Sequence, residues 1–224
     1  MSKITKQYIL LDSAGIRRKG QREFGAENFA VFKTIQTAYQ SDIICLVVDG
    51  SQPLSHQDQV VAGIAKEANR SIIVVANKSD LVDLQSKKEF ERQFYRRFFF
   101  LKVKDFIWVS ALEEQGMNLI WDTIDEAIEE KHQSIPENQM RTIFNYLMKN
   151  KPPKKLRTEK KPVIYDLLYK GNNPHTFEML LKSRTSIDKN YLKFLENFLR
   201  RQFQLYRSGI KIVLTEVEKK QVLS

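Results

Sequence analysis

Four consecutive residues, Asn77, Lys78, Ser79 and Asp80, follow the apolar run SIIVVA and carry the most specific chemistry in the chain. A carboxylate at Asp80 can accept two hydrogen bonds from the N1 and N2 donors of guanine. Adenine lacks that pair of donors, so the wrong base would leave a carboxylate unpaired. Asn77 would hold the loop and face the base edge, and Lys78 would lay its aliphatic stem along the ring. A second motif, DSAGIRRKG from Asp12 to Gly20, stands near the amino end. There Asp12 could reach Mg²⁺ through a water, and the backbone N–H of Gly15 could approach a terminal phosphate. Such a D-x-x-G turn is common by itself; its flanking residues give it weight.

What would complete a nucleotide site is a loop of the form G-x-x-x-x-G-K-[ST], whose backbone N–H groups cradle the phosphates while the Lys reaches them and the hydroxyl holds Mg²⁺. Gly15 and Gly20 have the glycine spacing, but Gln21 and Arg22 follow where Lys and Ser or Thr are required. That partial match is chance. If each charge-assisted phosphate contact contributes about 1.5–3 kcal/mol, losing three or more removes roughly 5 kcal/mol, about four orders of magnitude in affinity. The chain alone is expected to bind GTP or GDP with Mg²⁺ weakly or not at all, and not to hydrolyse GTP.

The elements that must position these residues are legible as apolar runs rich in β-branched residues: 8–12, 42–49, 71–77 and 106–111. Continuous rather than alternating apolar character predicts strands buried on both faces, hence a parallel sheet covered by helices. Helical patterns occupy roughly 27–39, 55–68, 86–99 and 117–131, which makes an α/β unit. The pattern breaks at Ser134 to Pro136. A helix over 137–149, a basic proline-containing loop, strands over 162–170 and 175–183 joined by a turn at Gly171 to Asn173, a helix capped by Asp188 and a final strand over 209–214 follow. The predicted units are 1–133 and 134–216, with a tail over 217–224.

The residues carrying these motifs resemble the bacterial double-GTPase family Der, also called EngA. The resemblance rests on DSAGIRRKG, the segment 55–82, VSAL at 109–112, NPHTFEMLLKS at 173–183 and KNYLKFLENFLRRQF at 189–203. It covers nearly the whole chain and implies a P-loop GTPase-type sheet lacking its first strand and phosphate loop, followed by an α+β KH-like domain. It also implies backbone contacts from Ser110 and Ala111 to the guanine oxygen. Ser79 departs from the Trp common in the family, and Ser13 from its usual Thr; the Ser79 change should alter packing rather than base choice. The missing strand would lie between the strands at 8–12 and 42–49, leaving a gap about 4.8 Å wide on either side of its place and two unpaired edges. In the intact family, GTP would order the segment after Asp12 and shift the KH-like unit. The chemistry would be water attack on the γ-phosphate, driven by positioning and electrostatics, since no general base is evident.

Charge divides the chain as the elements do. Residues 1–133 hold 18 Lys and Arg against 19 Asp and Glu, whereas 134–224 hold 19 against 8. A net charge near +11 on the second unit suits a polyanion such as RNA. Glycines at G-x-x-G spacing are absent from 134–224, so the simple KH clamp on RNA is lacking. Contact would instead run through backbone charge, from Lys151, Lys154, Lys155, Arg157, Lys160 and Lys161 in the loop and Lys189, Lys193, Arg200 and Arg201 on the helix. The resemblance implies ribosomal RNA and the large ribosomal subunit as partners, with a separate or missing N-terminal GTPase segment as another.

Two other readings compete: a non-enzymatic RNA- or ribosome-binding protein that keeps the motifs as structural turns, and one half of a split GTPase. Cys45, the sole cysteine, excludes disulfide frameworks and reads as core filler. His56, His132 and His175 fit no metal spacing, and Asp49 reads as the cap of a turn. No apolar stretch reaches the roughly 18 residues of a membrane span, and no signal-peptide centre is evident, so a cytoplasmic protein is expected.

Overall fold

The computed structural model describes residues 7–12, 26–154 and 162–218, with backbone alone for 26–31. The element order is α1 (Ala26–Gln40), β1 (Ile43–Asp49), α2 (His56–Ala68), β2 (Ser71–Asn77), α3 (Leu84–Arg97), β3 (Asp105–Trp108) and α4 (Met117–Lys131). Then come α5 (Glu137–Asn150), β4 (Ile164–Asn172), β5 (His175–Lys182), α6 (Lys189–Gln202) and β6 (Ile210–Val217). No described helix is long and apolar enough to cross a membrane.

Strands β1, β2 and β3 form a parallel sheet in that order. Central β2 is buried at every position from Ser71 to Ala76, which is why its sequence is apolar without alternation. Leu46, Val48, Val74 and Ala76 face one side, where Phe90, Phe94 and Phe98 of α3 and its C-terminal end close the core. Ile73, Val75, Ile107 and Val109 face the other, against Ile124 of α4. Helix α2 starts at a reciprocal cap: Ser55 Oγ accepts from Asp58 N–H at 3.2 Å, and the Asp58 carboxylate accepts from Ser55 N–H at 2.6 Å.

The expected strand at 8–12 does not form. Ile9, Leu10 and Leu11 are exposed, and β1 is the edge of the sheet among the described residues. A strand needs a neighbour, and among the described residues none pairs with 8–12 or with the outer edge of β1, so the segment joins no ladder there. Tyr8 still anchors the segment, hydrogen-bonded to Asp125 and packed on Trp121 with ring centroids 5.3 Å apart. The same open edge exposes Cys45 and leaves Val47 61% accessible. Cys45 is therefore an edge residue, not core filler.

The second sheet runs β4-β5-β6, antiparallel then parallel. Its core joins Leu167, Phe177, Met179 and Leu181 to Met140, Ile143 and Leu147 of α5 and to Leu195 and Leu199 of α6. Asp188 caps α6 as expected, accepting from Asn190 N–H at 2.7 Å. The expected turn at Gly171 to Asn173 shifts: β4 continues through a bulge at Gly171 to Asn172, and Asn173-Pro174 makes the turn.

Buried polar contacts fix one sheet system on the other. Arg207 grips Asp105 with Nε and Nη2 at 2.7 and 3.1 Å and also meets Glu126. Glu130 accepts from the backbone N–H groups of Arg207 and Ser208 at 2.8 and 2.6 Å. His175, fully buried, meets the Glu130 carbonyl through Nε2 at 3.2 Å, so Nε2 carries the proton and Nδ1 accepts from Tyr169 O–H at 2.8 Å. Burial holds the His175 ring below its ordinary pKa. At Gly209 a Cβ would lie 1.9 Å from the Asn69 carbonyl oxygen, so only glycine permits this approach.

Candidate functional site: a guanine-reading rim

The C-terminal ends of β1, β2 and β3 come together on one rim, where ligands bind in open α/β sheets. Asn77 ends β2 and organises that rim. Its Oδ1 accepts from its neighbour Lys78 N–H at 2.8 Å and from Ala111 N–H at 3.0 Å, joining loops 34 residues apart. Ser79 is buried and donates its N–H to the Val109 carbonyl at 2.9 Å. Ser110 is fully buried: its backbone N–H and C=O both pair with Gln115 at 3.0 Å, and its Oγ accepts from Glu113 N–H. Asp80, in the 3-10 turn Ser79–Leu81, is left exposed. The loop thus presents the exposed Asp80 carboxylate, and Asn77 ties the Ala111 end of the next loop to the same corner.

Lys78 is tied to the end of β1. It takes a left-handed backbone, φ 68°, and its Nζ pairs with Asp49 at 2.6 Å. Asp49 also caps its own turn, as expected, accepting from Ser51 N–H at 3.0 Å and Oγ at 2.6 Å. Burial works against its charge, but the bonds from Lys78 and Ser51 prevail and hold the carboxyl below the ordinary value. Behind this corner Gly50 donates to the Asn77 carbonyl at 2.8 Å, and a Cβ there would lie 2.3 Å from the Trp108 ring. Trp108 is fixed in turn by Nε1 donating to Glu91 at 2.6 Å. Gly50 and Trp108 carry no motif; the only signal was an Asp-Gly pair at the end of an apolar strand.

Asp12 is exposed at the end of its described segment, and Gly15 lies outside the described residues. Among the described residues no group of three or more His, Cys, Asp or Glu side chains could hold a metal ion. Magnesium takes one or two carboxylates together with phosphates and waters, so among the described residues Asp12 would hold it only alongside those other ligands.

The basic candidates separate on inspection. Lys155, Arg157, Lys160 and Lys161 lie outside the described residues. Lys151, Lys154, Lys189, Lys193 and Arg201 are exposed. Arg200 is not a surface cation: its Nη1 donates to the Leu205 and Ser208 carbonyls at 2.6 and 3.0 Å, and its Nη2 pairs with Glu196. It ties the loop that follows α6, through its Leu205 and Ser208 carbonyls, back to the helix.

Comparison with known proteins accords with this geometry. Residues 24–130 match the elongation factor Tu GTP binding domain. Residues 134–215 match the KH-domain-like segment of EngA bacterial GTPase enzymes, C-terminal. The GTPase Der of Sulfurihydrogenibium sp. is 26% identical over 216 residues, covering 96% of this chain and 48% of the relative. That of Caldanaerobacter subterraneus is 29% identical over 213 residues, with 94% and 48% covered. The chain spans about half the length of the curated relatives it matches. A crystal structure of Era in complex with MgGDPNP and nucleotides of 16S ribosomal RNA is a loose likeness, with a TM-score of 0.42, 16% identity, and 88% of this chain and 72% of that chain covered. With the motifs and both family segments in the same order, the chain matches the C-terminal part of the Der (EngA) GTPases over nearly its whole length.

Proposed function

We infer that the chain is the guanine-reading and RNA-contacting portion of a ribosome-assembly GTPase, and that it does not hydrolyse GTP by itself. One observation carries this reading: Asn77 Oδ1 bridges the N–H groups of Lys78 and Ala111, so the base-side loops are already in place. Asp80 would accept from guanine N1 and N2, and Ala111 would offer backbone to the guanine oxygen. Asp12 would face Mg²⁺ through water once phosphates are present. Ribosomal RNA, within the large subunit, would be held by the basic second unit, which family likeness describes as KH-like over 134–215. The divisions 1–133, 134–216 and 217–224 serve as the working domains. Two-dimensional NMR titration with GDP and with ADP tests the base site. Guanine-selective shifts confined to residues 77–81 and 109–112, lost in Asp80→Ala, are expected; identical responses to both nucleotides would overturn it.

The open edge of β1 favours a second reading, in which a strand and phosphate loop come from another segment, joined or separate. Exposed Cys45 and Val47 on β1, and the exposed side chains of Ile9 to Leu11, supply apolar surface for it. Co-purification of a segment bearing a phosphate loop would support a split GTPase. RNA binding without any guanine response would select a non-enzymatic RNA-binding protein.

A further inference from the structure

Helices α5 and α6 lie side by side, and their shared outer face combines three kinds of chemistry. Tyr146 of α5 and Phe198 of α6 stack with centroids 5.9 Å apart and planes 10° from parallel. Phe198 continues to Phe194 at 6.0 Å. The outer ring is not core: Tyr146 is 48% exposed, so one aromatic surface faces solvent on a rigid backing.

The same two helices also frame an open groove of about 430 Å³, walled by Asn138, Gln139, Thr142 and Ile143 of α5 and by Gln202 and Phe203 at the end of α6. A side-chain amide carries a donor and an acceptor at fixed separation, which matches the edge of a nucleobase. Helical spacing puts Asn138, Thr142, Tyr146 and Lys149 on one stripe of α5, and places Arg201 beside Phe198 on α6. Lys149 and Arg201 are exposed. The carboxylates of these helices are committed: Glu137 pairs with Arg141 at 3.1 Å, and Glu196 with Lys102 and Arg200 at 2.7 and 3.3 Å. The face therefore holds cations, amides and an open ring, with its acids neutralised or turned away.

We propose that this α5–α6 face binds single-stranded RNA, with an unpaired base stacked on Tyr146, a neighbouring base edge read by the amides of Asn138, Gln139 and Gln202, and phosphates met by Lys149 and Arg201. The inference rests on the RNA-contacting reading above and deepens it by naming the face and the form of RNA. Single strands fit because only splayed bases can offer both a face and an edge; duplex RNA offers its backbone. Amides beside apolar wall residues suit the edge and face of a base, and the excess of positive charge over residues 134–224 favours a polyanion over an apolar peptide.

Fluorescence anisotropy of the full chain with a labelled 12-nucleotide single-stranded RNA and with an RNA hairpin lacking unpaired bases in its stem tests the proposal. Tyr146→Ala should weaken single-strand binding at least fivefold while Tyr146→Phe retains it, and neither should change the salt slope. Lys149→Ala and Arg201→Ala should each lower the slope of log affinity against log salt by about 0.7. Urea midpoints will confirm folding, which an exposed ring should not control. If Tyr146→Ala binds like the wild type while Lys154→Ala weakens binding, RNA contact stands but this face is not the site. If the wild type binds neither RNA, both readings fall.

Discussion

Asn77 accepts the Ala111 backbone N–H at 3.0 Å, so one side chain at the end of β2 sets the distance between the two loops that would flank a guanine. The same oxygen accepts from Lys78 N–H. The base-reading half of the rim is thereby built from within the chain, independent of any phosphate contact.

Asn77→Ala removes both bonds. At an exposed site each contributes about 1 kcal/mol, so chemical denaturation should show a loss of roughly 1–2 kcal/mol. Asn77→Asp keeps an acceptor and should recover most of it. A stable Asn77→Ala variant with unchanged amide shifts at Ala111 would show that the bridge does not organise the loops.

Gly50 is closed in by Trp108 and the Asn77 carbonyl, with a Cβ predicted 2.3 Å from the indole and 3.1 Å from the oxygen. Gly50→Val should destabilise by about 1–3 kcal/mol through overpacking. In a Trp121→Phe background the remaining tryptophan emission should shift as the indole is displaced. An unaltered spectrum and midpoint would place Trp108 elsewhere.

Arg207 and Asp105 face each other with side chains 12% and 14% exposed. Arg207→Ala leaves Asp105 without its two guanidinium donors in a poorly solvated interface and removes the pair with Glu126, while the backbone bonds to Glu130 remain. Breaking a pair of this kind costs about 3–5 kcal/mol. Arg207→Lys should recover little, because an ammonium cannot reproduce the two-pronged grip. Limited proteolysis between residues 131 and 137 should accelerate in the alanine variant if this contact joins the two sheet systems.

His175 gives a pH dependence of defined sign. Burial lowers its folded pKa, so the unfolded chain binds the proton more readily. Stability from the neutral ring is fully present above the ordinary value of about 6.5 and is lost as pH falls through the folded value. Urea midpoints from pH 8 to 5 should decline on the acid side, and His175→Gln should flatten that decline. A midpoint that rises on acidification would contradict the neutral assignment.

Several features were readable because their cause is local. The unbroken apolar run of β2, the Ser55 and Asp58 cap, the Asp188 cap and the NKSD loop all follow from residues within a turn or a strand of each other. The strand expected at 8–12 failed because pairing is a property of two segments, and among the described residues it has no partner. Cys45 was misplaced for the same reason, since an apolar strand is buried only where a neighbour covers it. Arg207 and Asp105 lie 102 positions apart, and neither belongs to a periodic pattern, so composition could not announce them. Arg200 looked like one more basic residue on a helix; the carbonyls of Leu205 and Ser208, in the loop that follows that helix, turn it inward.

Phosphate release from GTP by the purified full chain, with Mg²⁺ and saturating nucleotide, tests the central claim most directly. The account predicts no turnover above buffer, even where NMR detects guanine-selective contact at residues 77–81. Turnover at a normal GTPase rate that disappears in Asp80→Ala would contradict it, because the chain would then hold a working phosphate site of its own.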